Sequence, residues 1–347
     1  MSPQKSHFDF TITIAISLVA IIILYPLLPK ISYSQQQLFP FLPPTNTIQD
    51  QINNDIQNES ATSASDSNSS LSTANKAVIL DFYDNDIGQF TYAKPILDKY
   101  GFKGTFFIVC KWASSDNLER MTWQEITQLY REGHDIESHS MTHKLLDGLS
   151  TSALDYEVGQ SKQCLHDHLG IYPTVFSPPH DRGWNNSTVI NTIAKYYDLS
   201  IGGFVNDVMF LHCYGWKQQN HIEHLSQRDC RPFSDNGTLN YASRYDIKEN
   251  AGAQGHSNDT QIFYRFANLV NREGILNSNN NAALINSVLI LGYHNLNNTQ
   301  TTQRDAMDTS LFDKEMKYLH DNSVKVITMS DLGYDENNRY LYVRNNK

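Results

Sequence analysis

From Lys76 onward, short apolar runs alternate with helix-length stretches, and no other feature of the chain restricts its architecture so strongly. Residues 78–82 form an apolar run suited to a buried parallel strand, residues 90–100 follow as a helix, and residues 104–109 form a second strand. Thr122 opens a helix that runs to Arg131, because Glu125, three residues on, completes a capping box. The alternation continues with strands at 136–138, 174–176, 288–293 and 324–329 and helices at 153–169, 187–197 and 311–320. Such a succession implies a parallel sheet covered by helices, either closed as a barrel or open and doubly wound. In both forms the functional site lies at the carboxyl ends of the strands.

The N-terminal region has a different texture. Residues 10–29 carry no charge and are dominated by Ile, Leu, Val and Ala, a run long enough to cross a hydrocarbon layer. Two readings of segment 1–30 stay open: an uncleaved transmembrane anchor, or a signal peptide cut after Ser34, with Ser32 and Ser34 as the small residues. Either makes the membrane a partner of this segment and puts the remainder outside the cytoplasm, tethered or secreted. Residues 31–75 are rich in Gln, Asn, Ser and Thr, contain Pro40, Pro43 and Pro44, and have no aromatic residue after Phe41, so a disordered stalk is expected. Asn-X-Ser/Thr sequons, among them Asn58, Asn68 and Asn185, are consistent with an exported surface. The folded domain is expected over 76–345. With 27 Lys+Arg against 37 Asp+Glu and a net charge of -10, a nucleic-acid partner is disfavoured.

Chemistry-bearing side chains fall at the expected strand ends. Asp84 follows the first strand, His139 and His143 follow the third, and His294 ends a late one. Two imidazoles and one carboxylate leave a coordination position open, the pattern of hydrolytic zinc sites and, less directly, of non-haem iron enzymes. His139 and His143 stand at i and i+4, and a helical turn there would aim both rings at one ion.

The stretch 76–107, KAVILDFYDNDIGQFTYAKPILDKYGFKGTFF, and the segment GHDIESHSMTH at 133–143 resemble the first two motifs of NodB-type polysaccharide deacetylases, carbohydrate esterase family 4. The resemblance implies a distorted (β/α) barrel with a divalent metal, usually Zn2+, that removes N- or O-linked acetyl groups from an acetylated polysaccharide. Carried over by position, Asp84, His139 and His143 would be the metal ligands, and His294 in LGYHN would protonate the leaving group.

The chain departs from that pattern at coupled places. Tyr83 stands where the family has its catalytic-base aspartate, and Asn85 where it has glycine. The third motif, normally Arg-Pro-Pro-Tyr-like, is Ser177-Pro178-Pro179-His180, so the Arg that braces the base is gone together with the base. Asp81, which shares a strand face with Tyr83, is the first candidate to replace it, followed by Asp86 and His180. Tyr83 itself could orient the acetyl group or fill space. A metal-retaining glycan-binding protein without catalysis is the alternative reading.

Residues 202–258 read as a long insertion near the barrel mouth. Within it Cys213 and Cys230 are either a disulfide or two free thiols, Tyr214, Trp216 and Tyr241 are candidates for stacking on sugar rings, and His212, His221, His224 and His256 do not converge on one point. Cys110 and Cys164 are expected to serve core packing.

Overall fold

The computed structural model describes residues 76–204, 208–211, 244–251, 259–278, 287–298, 306–337 and 340–344. The expected anchor and stalk, Cys213 and Cys230, the three loop aromatics and the four loop histidines lie outside these residues. Among the described residues no helix is long and apolar enough to cross a membrane.

Seven parallel strands close a barrel: β1 (Ala77–Tyr83), β2 (Thr105–Ile108), β3 (Asp135–Ser138), β4 (Val175–Phe176), β5 (Leu199–Phe204), β6 (Ile247–Ala251) and β7 (Ser287–Tyr293). Each pairs with the next in that order, and β7 returns to pair with β1 from Val78↔Leu289 to Phe82↔Tyr293. The ring is distorted at β1. A further parallel strand, β8 (Lys325–Ile327), takes Ala77, Val78 and Ile79 of β1, whereas β2 takes Asp81, Phe82 and Tyr83. The chain leaving β8 then runs beneath the start of β2 and β3, where Met329 N–H donates to the Thr105 hydroxyl (2.9 Å) and Ser330 N–H to the Asp135 carboxylate (3.0 Å).

Helices α1 (Lys94–Tyr100), α2 (Trp123–Arg131), α3 (Gln160–Leu169), α4 (Ser187–Ile193), α5 (Asp259–Ser278) and α6 (Thr309–Asp321) complete the fold. The expected capping box is present: Thr122 N–H donates to Glu125 at 2.7 Å at the start of α2. β1 shows why the sequence selects a barrel. Its alternate residues face opposite ways, so Phe82 packs on Phe106, Tyr293 and the α6 residue Phe312, with ring centroids 4.7, 5.5 and 6.0 Å away. Tyr83 instead points across the barrel to Glu249 of β6.

The structure differs from the sequence reading in four places. Strand β6 lies inside the stretch read as an irregular insertion, because its buried residues include Glu249 and Asn250, which hide a strand from a hydrophobicity pattern. Helix α5 went unread although Ile262, Phe266, Leu269 and Val270 repeat at helical spacing. α4 stops at Ile193, four residues short of the expected end. Cys110 and Cys164, expected as core residues, form a disulfide with Cα atoms 6.5 Å apart, tying the end of β2 to α3. A strand end and the helix of the next βα unit face each other in this fold, which brings the two thiols together.

Candidate active site at the carboxyl end of the barrel

The turn after β1 is left-handed at two consecutive residues, Asp84 (φ 74°) and Asn85 (φ 52°). Asp and Asn tolerate that region better than other side-chain-bearing residues. Asn85 also has a task that glycine could not perform: its amide accepts from Val109 N–H (2.8 Å) and donates to Val109 C=O (3.0 Å), fully buried. The side chain thus stands in for a strand partner beyond the end of β2. A second clamp comes from residues before α2. Arg120 donates to the Asp84 carbonyl (2.6 Å) with its guanidinium 4.4 Å from the centre of the Trp112 ring, and Met121 N–H donates to Asn85 C=O (2.7 Å). Asn85→Gly should keep the backbone turn but strand one donor and one acceptor of Val109, so we expect a stability loss of about 2–4 kcal/mol, read as a lowered thermal midpoint.

His139 and His143 come from the loop after β3, which is not a helical turn. Ser140 (φ 72°) and His143 (φ 64°) are left-handed and break any helix. The loop is held instead by side chains: Ser140 Oγ accepts from His143 N–H (2.9 Å), and Glu157 accepts from Thr142 N–H (2.8 Å) and the Thr142 hydroxyl. The two rings still converge, with centroids 4.9 Å apart. One ligand atom from each of Asp84, His139 and His143 lies within 4.8 Å of the others.

The protonation of this trio decides what it can hold. Burial pushes the His139 imidazole down to about 3, against the opposing pull of Asp84, so the ring is neutral. Its Nδ1 lies 2.8 Å from the Ser177 carbonyl, an acceptor only, so the single proton sits on Nδ1. Nε2 therefore presents a lone pair toward Asp84 Oδ1 at 3.5 Å. Burial favours a neutral Asp84, but His143, His139 and His294 outweigh it and hold the carboxyl well below the usual range. Asp84 Oδ1 is itself buried without a hydrogen bond, with His143 Nε2 at 3.1 Å. A lone pair facing an anionic oxygen is repulsive unless a cation lies between them, so the donor set fits a divalent ion.

Other groups surround the trio. His294 follows β7; its backbone carbonyl accepts from the buried side chain of Gln89 (2.9 Å), which also donates to the Tyr83 carbonyl. The His294 ring lies 5.4 Å from Tyr83. From the loop after β4, the His180 ring packs at 4.6 Å on His143, and Asp181 follows it, both left-handed (φ 60° and 50°). Burial and the charge of Asp84 raise the Asp181 carboxyl to about 6, with His143 opposing.

Residues 71–200 match the family model described as polysaccharide deacetylase. Over that segment the chain is similar to the polysaccharide deacetylase family. Over 126 residues it is 29% identical to YxkH of Bacillus subtilis (strain 168), provisionally named a polysaccharide deacetylase, covering 36% of this chain and 44% of that protein. Over 99 residues it is 31% identical to a chitin deacetylase of Pestalotiopsis sp, covering 27% and 32% of the two chains. The chain thus spans under half the length of the curated relatives it matches. Among solved structures, the Xyl-CE4 domain of a multidomain xylanase from the hindgut metagenome of Trinervitermes trinervoides is 16% identical with a TM-score of 0.43, covering 74% of this chain and 88% of that one. A CE4 family pseudoenzyme, BA3943 of Bacillus anthracis, is 13% identical with a TM-score of 0.44, covering 74% and 64%.

Tyr83 is held on several sides. Its hydroxyl donates to Glu249 at 2.6 Å, its ring stacks on Phe107 at 5.0 Å, and it lies 5.3 Å from His139. Burial, followed by the charge of Glu249, raises the phenol well above its ordinary value, so it is no base. Burial likewise lifts Glu249 to about 8, against the hydrogen bond from Tyr83. Sequence reasoning missed Glu249, and the strand around it gave no signal. Asp81, the preferred replacement base, is sealed inside the barrel at 0% exposure, and burial plus the charges of Glu249 and Asp135 raise its carboxyl well above the usual range. It faces the interior beneath Tyr83 and is closed to water. Asp86 accepts from Gly88 N–H (2.9 Å) in the turn, and burial raises its carboxyl modestly.

Proposed function

We propose that this chain hydrolyses acetyl groups from a polysaccharide, with a divalent ion held by Asp84, His139 and His143 and with His294 as the proton donor to the leaving amine or alcohol. The observation that carries the reading is the lone pair of His139 Nε2 set against the anionic Asp84 Oδ1, which a cation reconciles. Zinc suits two imidazoles and a carboxylate, and when bound it would polarise both water and the acetyl carbonyl. The residues themselves do the rest. Ser177 fixes the His139 tautomer, Arg120 and Asn85 hold the Asp84 turn, and Gln89 links the backbone of Tyr83 to that of His294. The acidic net charge is compatible with a neutral or cationic glycan. The uncharged run at 10–29 supports placement of the domain outside the cytoplasm, membrane-bound or secreted.

Acetate release from a panel of N- and O-acetylated glycans tests the reading. The full-length chain loaded with Zn2+ should liberate acetate, and chelation should abolish the release. One observation favours a second reading, that of a metal-retaining glycan-binding protein: at the family's base position the Tyr83 hydroxyl is committed to Glu249. Glycan retention without acetate release on every glycan would select it.

A further inference from the structure

The hydrolase reading leaves one role unfilled, the acceptor of the proton from the attacking water. Each carboxyl near the trio can be weighed in turn. Asp81 and Glu249 are 0% and 1% exposed, and Glu249 is occupied by Tyr83. Asp86 serves the turn through Gly88. Glu157 holds the His139–His143 loop through Thr142. Asp86 and Asp181 are both partly open to solvent, but Asp86 is engaged by Gly88, whereas Asp181 receives no hydrogen bond or ion pair from the described residues.

Its position is built rather than incidental. The loop after β4 fixes the tautomer of His139 through the Ser177 carbonyl and lays His180 on His143, and Asp181 follows directly on that packed residue. Asp181 interacts electrostatically with Asp84 and His143 on one side and with Tyr83 and Glu249 on the other. It thus lies within electrostatic reach of the ligands and of Tyr83, the residue that stands at the vacated base position. Two successive left-handed residues, His180 and Asp181, hold the carboxylate there, a conformation that persists only where the surroundings impose it.

Resting on the hydrolase reading above, we infer that Asp181 is the general base of this chain, replacing from the third-motif loop the aspartate that Tyr83 displaced on β1. Its carboxylate takes one proton from water as the water oxygen bonds to the acetyl carbon. The carbon–nitrogen or carbon–oxygen bond then breaks, His294 gives its proton to the departing group, and acetate leaves. Asp181 returns its proton to solvent and His294 regains one.

Asp181→Asn tests this without disturbing the loop, because Asn accepts the left-handed backbone. In full-length protein we expect metal content equal to wild type, KM changed little, and kcat lowered about 10²- to 10⁴-fold. Asp181→Gly also fits the turn, and added formate should restore part of its activity, as an external carboxylate replaces the lost one. The wild-type rate should rise with pH as this carboxyl loses its proton, and this limb should vanish in Asp181→Asn. The charged or titrating groups that interact with Asp181 are Asp84, His143, Tyr83 and Glu249, with His180 and Arg182 beside it in the chain, and all of them persist in the variant. Activity within about tenfold of wild type would overturn the assignment, as would loss of the metal, which would make Asp181 a ligand. A metal-loaded wild type that releases no acetate would remove the hydrolase reading itself and the base with it.

Discussion

Asp84→Asn is expected to strip the divalent ion and to lower acetate release by about 10³-fold or more, the equivalent of the several kcal/mol that a metal contributes to such a transition state. The substitution is a narrow one. Asn fills the same volume and tolerates the left-handed backbone at this position (φ 74°), and the Arg120 and Met121 clamps bind backbone atoms that Asn retains. What disappears is the negative charge facing the lone pair of His139. Elemental analysis should find the ion at background in the variant and near one per chain in wild type, while the two metal-free proteins melt together. Full metal occupancy in Asp84→Asn would mean that the trio is not the binding site.

His294→Gln is the second large effect, expected at about 10²- to 10⁴-fold in kcat with the metal retained. A role as proton donor makes a sharper demand than a loss of rate. An acetylated amine or sugar hydroxyl is a poor leaving group and needs the proton, whereas the phenolate of 4-nitrophenyl acetate departs without one. The variant should therefore be severely impaired on glycans and much less so on the aryl ester. Equal loss on both substrates would assign His294 to substrate placement or to the integrity of the β7 end, where Gln89 grips its carbonyl.

What could be read from the sequence was what depends on local pattern and strand ends. Asp84 and His294 each follow an apolar strand and His139 and His143 follow the short strand β3, so the fold alone brings them to one mouth, and the structure places all four there. The Thr122 and Glu125 box is local and was equally legible. The groups that escaped act across the barrel or over long loops. Glu249 reaches Tyr83 across 166 positions of sequence, inside a strand whose buried acid reads as a loop. Arg120 finds the Asp84 carbonyl 36 positions away. The i, i+4 histidines converge, but through left-handed turns at Ser140 and His143 that periodicity does not foretell. Asp81 misled because sharing a strand face with Tyr83 places it deeper in the barrel, where burial keeps its proton.

The threefold pairing of β1 has a consequence for the order of assembly. This strand needs β2, which follows it closely, but also β7 and β8, and Ile79 bonds in register with Ile327. At synthesis rates of about 5–20 residues per second, the roughly 250 residues between them take on the order of 10 to 50 s to appear. Until β7 and then β8 emerge, β1 has one ladder edge unpaired and the other only partly filled. An apolar strand with open edges is prone to misassembly while it waits. Its susceptibility to misassembly is set less by the finished barrel than by this waiting time.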